Sequence, residues 1–173
     1  TLDRSSAASD VYKRQLFDHT KRIVVDTDNI TEKPDYPFYS IKAITIRQDA
    51  GEAGNYSADF VKSLDERFKY DYLERLETQP NAVISVNAYG KDNTTASNAA
   101  MDAFGFFKFA GRLKLEKENY IVVDITDIQD RTILNVDNYE YRYGFDVRIR
   151  YVHSIERRTE TIETYKIKKG GRK

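Results

Sequence analysis

Residues Tyr139–Tyr151 read YEYRYGFDVRIRY, and how this stretch is read decides the fold. Its odd positions, Tyr139, Tyr141, Tyr143, Phe145, Val147, Ile149 and Tyr151, are aromatic or β-branched. Its even positions are charged except for Gly144. Successive side chains of a pleated backbone point to opposite faces, so a strict period of two marks a strand with one apolar and one polar side. The odd row is expected to face a core and the even row water or another subunit. A glycine in the middle of such a strand suggests a bend or a close approach by another backbone, and the strand is expected to be kinked there, with its Arg-rich half facing a neighbour.

Working outward, the chain has 173 residues, with 28 basic and 28 acidic side chains and no cysteine. That length suits one domain with one core. The zero formal net charge gives no overall bias toward a polyanion or a membrane surface, so charge-driven binding would need local clustering. Without cysteine there are no disulfides, thiolate metal sites or Cys nucleophiles, and His19 and His153 are the only imidazoles. No run approaches the roughly 18 apolar residues of a membrane span, the first residues lack a signal-peptide centre, and no membrane partner is expected. Asn29, Asn55 and Asn93 fall in acceptor sequons, which are read as ordinary loop residues in an unexported chain.

The first residues, TLDRSSAASDVYKRQ, begin with Thr, and SSAASDVYKRQ resembles translated adapter sequence at the edges of assembled reading frames. Residues 1–15 are therefore expected to be a non-native or disordered segment. From Leu16 the expectation is the stump of a first helix, then a short strand around Arg22 to Asp26. Pro34 and Pro37 bias their predecessors toward extended geometry, making a loop that feeds a strand over Phe38 to Ile46. DAGEAGNYS, with Gly51 and Gly54, reads as a loop. Between Ala58 and Thr78, Phe60, Leu64 and Phe68 fit a helix while Phe68, Tyr70 and Tyr72 fit a strand. A short helical or irregular start followed by a strand near Phe68 to Glu77 is favoured. The turn Gln79-Pro80-Asn81 and the apolar run AVISVNAY predict that this strand and Ala82 to Tyr89 form an antiparallel hairpin.

Ala96, Ala100, Ala103, Phe107 and Ala110 recur at helical spacing, predicting a helix over Thr94–Gly111, capped by Asn93, Thr94 or Thr95 and stopped by Gly111. Phe104, Phe106 and Phe109 widen its apolar surface beyond one stripe, which calls for more than one neighbour. Strands are expected at Tyr120 to Ile125, Thr132 to Val136 and Thr159 to Lys168, with SIERR joining the long strand to the last one as a hairpin. The expected class is α+β: a mixed, mostly antiparallel sheet with the Thr94–Gly111 helix and a truncated N-terminal helix packed on it. Residues 16–168 form the expected single domain, and 169–173 a flexible basic tail.

Chemistry-bearing patterns are sparse. Asp124, Asp127 and Asp130 stand close together but lack the glycine and terminal glutamate of a calcium loop, and read as strand-end acids. Asp146 and Glu156 have no tuning imidazole or lysine near them in sequence. Glycines never fall in the spacing of a phosphate-cradling loop. No catalysis, metal or cofactor is expected. A nucleic-acid-binding sheet is the alternative, with Tyr141, Tyr143, Phe145 and Tyr151 stacking bases and Arg142, Arg148 and Arg150 holding phosphates. Against it, the aromatic and arginine rows point to opposite faces, and Glu140 and Asp146 interrupt the positive charge.

Four stretches in order, PDYPFYSIKAI, VISVNAYGKDNTTASNAAMDAF, IQDRTILNVDNYEYRYGFDVRIRY and IETYKI, resemble the phage neck or tail terminator proteins, also called tail-completion proteins, of long-tailed bacteriophages. The resemblance runs from about Leu16 to Lys168 and rests on the collinearity of Pro34 to Tyr39, of Ser85 and Asn87, and of Arg142, Gly144, Phe145 and Asp146. It implies a structural virion protein, assembled in the host cytoplasm, that forms a homo-hexameric ring on the tail tube protein. Such a ring stops tube growth and offers a surface to the head connector or stopper protein, while phage DNA passes through without specific binding. Under that reading Glu140, Arg142, Asp146, Arg148 and Arg150 are the expected subunit-interface residues, with Arg142 and Asp146 foremost. The acidic loop carrying Asp49 and Glu52 is the expected lumen loop, since a basic lumen would grip phosphates.

Overall fold

The computed structural model describes residues 4–29, 33–49, 51, 53–135 and 138–160. In chain order the elements are α1 (Arg4–Thr20), β1 (Val24–Asp26), β2 (Phe38–Gln48), β3 (Asn55–Lys62), β4 (Tyr70–Thr78), β5 (Asn81–Gly90), α2 (Asn93–Gly105), α3 (Arg112–Lys117), β6 (Tyr120–Ile125), β7 (Gln129–Asp130), β8 (Ile133–Asn135), β9 (Asn138–Tyr151) and β10 (His153–Glu160). A 3-10 turn follows β1 and a π-helical stretch, Phe106–Ala110, follows α2. The class is α+β, as the sequence predicts. The chain divides into two compact units, Thr1–Ala50 with Gln79–Val152, and Gly51–Thr78 with His153–Lys173.

In the first unit the sheet order is β1-β2-β5-β9-β6, with β7 and β8 also on β9. Only the β1–β2 pair is parallel. The length of β9 has a reason: one of its edges pairs with β5, and the other is lined in turn by β6, β7 and β8. Its predicted alternation holds over the second half, where Phe145, Val147 and Ile149 are buried in the core. Toward the start Tyr139 is 61% exposed, and its ring stacks on that of Tyr141 at 6.0 Å. Ile84, Val86 and Ala88 of β5 join the same core, while Ser85, Asn87 and Tyr89 turn to the other face and are buried there too. Burial on both faces is what makes AVISVNAY read as a continuous apolar run.

Helix α2 lays Ala96, Ala99, Ala100 and Ala103 against this core. Approach is close enough that a Cβ on Gly90 would meet the backbone N of Ala96 at 2.4 Å. The cap is Asp92, one residue ahead of the expected candidates. Its carboxylate accepts from the Thr95 N–H at 2.7 Å and the Thr95 hydroxyl at 3.0 Å. The helix expected to run to Gly111 is α-helical only to Gly105. The wider π turn then places both Phe106 and Phe107 in the core and leaves Phe109 85% exposed. Helix α3 has no counterpart in the sequence expectations.

Helix α1 takes in residues that the sequence reading set apart. It begins at Arg4, and Tyr12, Gln15 and Leu16 are all buried. Lys13 pairs with Asp26 of β1, and Arg22 just beyond the helix bonds to Tyr39 at 2.8 Å and to Asp102 at 2.6 Å.

The second unit is a three-stranded antiparallel sheet in the order β10-β4-β3. Here three expectations are corrected. The expected helical or irregular start after Ala58 is strand as far as Lys62, where β3 ends, and irregular from 63 to 69. The expected hairpin of β4 with β5 does not form: β4 pairs with β3 and β10, and β5 with β2 and β9. Pro80 is buried and its carbonyl accepts the Tyr151 N–H at 3.1 Å, and Gln79-Pro80 links a strand of one sheet to a strand of the other. SIERR likewise is no turn, since it lies inside β10, which pairs with β4. Most of the last expected strand, Thr159 to Lys168, lies outside the described residues.

Candidate functional site

The polar face of the first unit's sheet gathers most of the side chains singled out in the sequence. Antiparallel register sets Ser85 opposite Asp146, Asn87 opposite Gly144 and Tyr89 opposite Arg142. Into this row comes Arg131, from the short link between β7 and β8. Its guanidinium donates to the Ser85 hydroxyl at 2.7 Å, to the Asn87 carbonyl oxygen at 3.1 Å and to Asp146 at 3.1 Å. This partly buried arginine donates to the oxygens of buried Ser85 and Asn87, and its charge is met by Asp146. Gly144 makes room for the cluster. A Cβ there would lie 2.3 Å from the Asn87 side-chain oxygen, 2.9 Å from the Val86 carbonyl oxygen and 3.0 Å from Arg131. The predicted close approach at Gly144 is present, and the pairing of β9 with β5 runs through it without a register shift.

Arg142 extends the cluster. Its Nε donates to the Arg131 carbonyl at 3.1 Å, and its guanidinium reaches the Tyr89 hydroxyl at 3.4 Å while lying over the Tyr89 ring. Tyr89 stacks on Phe38 at 4.6 Å. Arg142 and Asp146 thus spend their hydrogen bonds inside the subunit, holding the β7–β8 link against the sheet. Glu140 pairs with Lys33 at 2.5 Å. Arg150 reaches Asn81 at 3.4 Å, and Arg148 is exposed. Asp49 pairs with Arg47 at 2.8 Å, and Glu52 lies outside the described residues.

Arg131 escaped the sequence reading, although a signal was there. Ser85 and Asn87 are polar residues in an otherwise apolar central strand, and buried polar groups need a partner from somewhere. Among the described residues no three His, Asp or Glu side chains are grouped to hold a metal ion. Asp130 accepts from the Thr132 N–H at 2.9 Å, and hydrogen bonds from Thr132 hold its carboxyl below the ordinary carboxylate range. Phe145, one of the aromatics considered for base stacking, is buried against Phe104 and Phe107 and closed to a ligand.

Both units expose large apolar side chains. In the first unit Phe109 and Leu113 stand out, with Lys108 and Arg112 beside them in sequence. In the second, Asp71 is the only buried residue among those described, while Tyr56 (61%), Phe60 (68%) and Ile155 (50%) are open to solvent. Tyr56, Phe60, Tyr72, Leu76 and Ile155 share one face of that sheet. At its centre Glu74 accepts from Arg157 at 2.6 and 2.9 Å and from the Tyr56 hydroxyl at 2.8 Å. The Arg157 guanidinium, with Tyr56, holds the Glu74 carboxyl below its usual range. Surfaces of this kind belong to proteins that work by contact with other proteins.

No curated protein matches the chain. A family model described as phage neck terminator protein matches residues 11–171, from within α1 to beyond β10. The chain therefore belongs to the phage neck terminator proteins, structural components of the virion neck and tail that contact other head and tail proteins.

Proposed function

We propose that six copies of this chain close into a ring on the head-proximal end of the tail tube, where they stop tube polymerisation and offer the head connector a joining surface. One observation carries the reading. Among its described residues the second unit buries only Asp71, and none of those residues covers the aromatic face or the outer edges of β3 and β10. A three-stranded sheet needs packing on at least one face to be stable, and a neighbouring subunit supplies it. Phe109 and Leu113 on the first unit add apolar surface beyond what a monomer requires.

In the ring, Arg148 and Arg150 are the members of the β9 charged row placed to reach a neighbour. Glu140, Arg142 and Asp146 hold the face from which they project. Arg148 and Arg150 are both positive, so they set register by pairing with acidic groups of the neighbour and by excluding basic ones. The loop with Asp49 and Glu52 lines the lumen, where negative charge lets DNA slide without being held. Assembly takes place in the host cytoplasm, on finished tubes.

Purified protein mixed with assembled tail tubes, viewed by negative-stain electron microscopy, tests this. Sixfold caps at one tube end and an arrest of further tube growth are expected. Tubes that lengthen unchanged at saturating protein, with no cap, overturn the proposal. A monomer in the absence of tubes is compatible with it, because tube contact can drive closure.

A further inference from the structure

The geometry points to a seam between copies in the second unit: β3 of one subunit pairs, in parallel, with β10 of the next, so that one sheet runs on from copy to copy. This rests on the ring reading and names the surface by which the ring closes.

Both strands are edges, since β3 and β10 each pair only with β4 among the described residues. An edge of this length, bare of partners, is a template for another strand. Both run antiparallel to β4, so they are parallel to one another. A rotation that carries one sheet onto its neighbour therefore brings β10 beside β3 in parallel orientation. Such a contact joins two different edges, leaves none bare once the ring closes, and needs no twofold axis.

Side chains choose the register. Asp59 of β3 and Arg158 of β10 both lie opposite Leu73 of β4; Tyr56 and Ile155 both lie opposite Leu76; Ser57 and Glu156 both lie opposite Arg75. With neighbouring sheets level, Asp59 therefore meets Arg158 on one face while Tyr56 meets Ile155 on the other. Asp59 is exposed and has no ion-pair partner among the described residues, and Arg158 holds Asp71 only at 3.4 Å. Sliding by two residues sets Asp59 against Glu156 or Glu160, like charges in either direction. A slide by one turns the aromatic row to the wrong face. Of these registers only level pairing satisfies both charge and pattern, and it carries the Tyr56–Leu76–Ile155 row on from copy to copy.

The chain has no cysteine, so engineered thiols report the seam cleanly. Within one subunit Ser57 and Glu156 are two strands apart, about 9.6 Å at ordinary strand spacing and beyond the reach of a disulfide. Across the seam they are neighbours. Oxidation of full-length protein carrying both Ser57→Cys and Glu156→Cys, assembled on tail tubes, is expected to give a ladder of covalent oligomers ending at six. Each single variant is expected to stay monomeric on a denaturing gel. As a second readout, Asp59→Arg should weaken assembly at least about tenfold, while Asp59→Glu, which keeps the charge, should leave it within about twofold. Covalent dimers from Ser57→Cys alone indicate antiparallel pairing of two β3 strands and overturn the seam. Sixfold caps that give no ladder and are indifferent to Asp59→Arg overturn the seam but leave the ring. Absence of both caps and ladder overturns the two together.

Discussion

Replacing Gly144 by alanine adds one carbon where the polar face of the sheet is most crowded. The new Cβ would sit 2.3 Å from the Asn87 side-chain oxygen and 2.9 Å from the Val86 carbonyl. The first contact is relieved by turning Asn87 away, which gives up its 3.1 Å bond from Arg131 and leaves a buried amide unpaired. That costs about 1–3 kcal/mol. The second contact is with backbone and is relieved only by moving the strands, an overpacking cost of about 1–3 kcal/mol. Against these, alanine restricts the unfolded chain and returns about 0.5–1 kcal/mol. The midpoints sum to a loss of roughly 3 kcal/mol, which for a chain of this size lowers Tm by roughly 6–12 °C. Thermal melting followed by circular dichroism, with urea titration alongside, measures it. Adding Asn87→Ala removes the worst contact but not the Val86 carbonyl, so the double variant should be more stable than the sum of the singles by about 1 kcal/mol. A Gly144→Ala protein that melts at or above the parent would refute the account of why glycine stands there.

Three other outcomes are expected. Leu16→Ala, deep in the core from α1, should cost about 2–5 kcal/mol by melting, and a loss under about 1 kcal/mol would mean that α1 is not part of the folded unit. Asp92 is held below its usual pKa, first by the backbone N–H of Thr95, so it stabilises the fold above the ordinary carboxylate pKa and loses that contribution as pH falls through its lowered value. Melting temperature should accordingly drop more steeply in acid for the parent than for Asp92→Asn; parallel curves would contradict the capping role. Phe109→Ser should leave the monomer's stability within about 0.5 kcal/mol while reducing binding to tail tubes, and unchanged binding would remove Phe109 from the contact surface.

Much of the second half was legible because period and pairing agree there. The alternation along Tyr139–Tyr151 predicts a strand, and the pairings of β9 bear it out; the alanine spacing after Asp92 predicts a helix close to its true start. The two misplaced hairpins have different causes, since SIERR lies inside a strand and is no link at all. A two-residue link with a proline, such as Gln79-Pro80, is as suited to crossing between sheets as to reversing direction, and nothing local distinguishes the two. Periodicity places the strand near Phe68 to Glu77, found as β4, but misses β3 ahead of it. A sheet with one aromatic face left open lacks the contrast between buried and exposed rows on which such readings depend.

The amino-acid sequence by itself determined the fold class, the long strand and its apolar row, the small-residue helix, and membership in a family through collinear stretches that carry no catalytic signature. It did so because these features repeat at the spacing of the backbone. What the charged row of β9 does inside the subunit was decided only by tertiary structure. Arg142 and Asp146 turn inward to Arg131, a residue from a different part of the chain, because buried Ser85 and Asn87 lie beneath it and need a donor. The division of strands between two sheets was decided in the same way, by long-range pairing that no local pattern encodes.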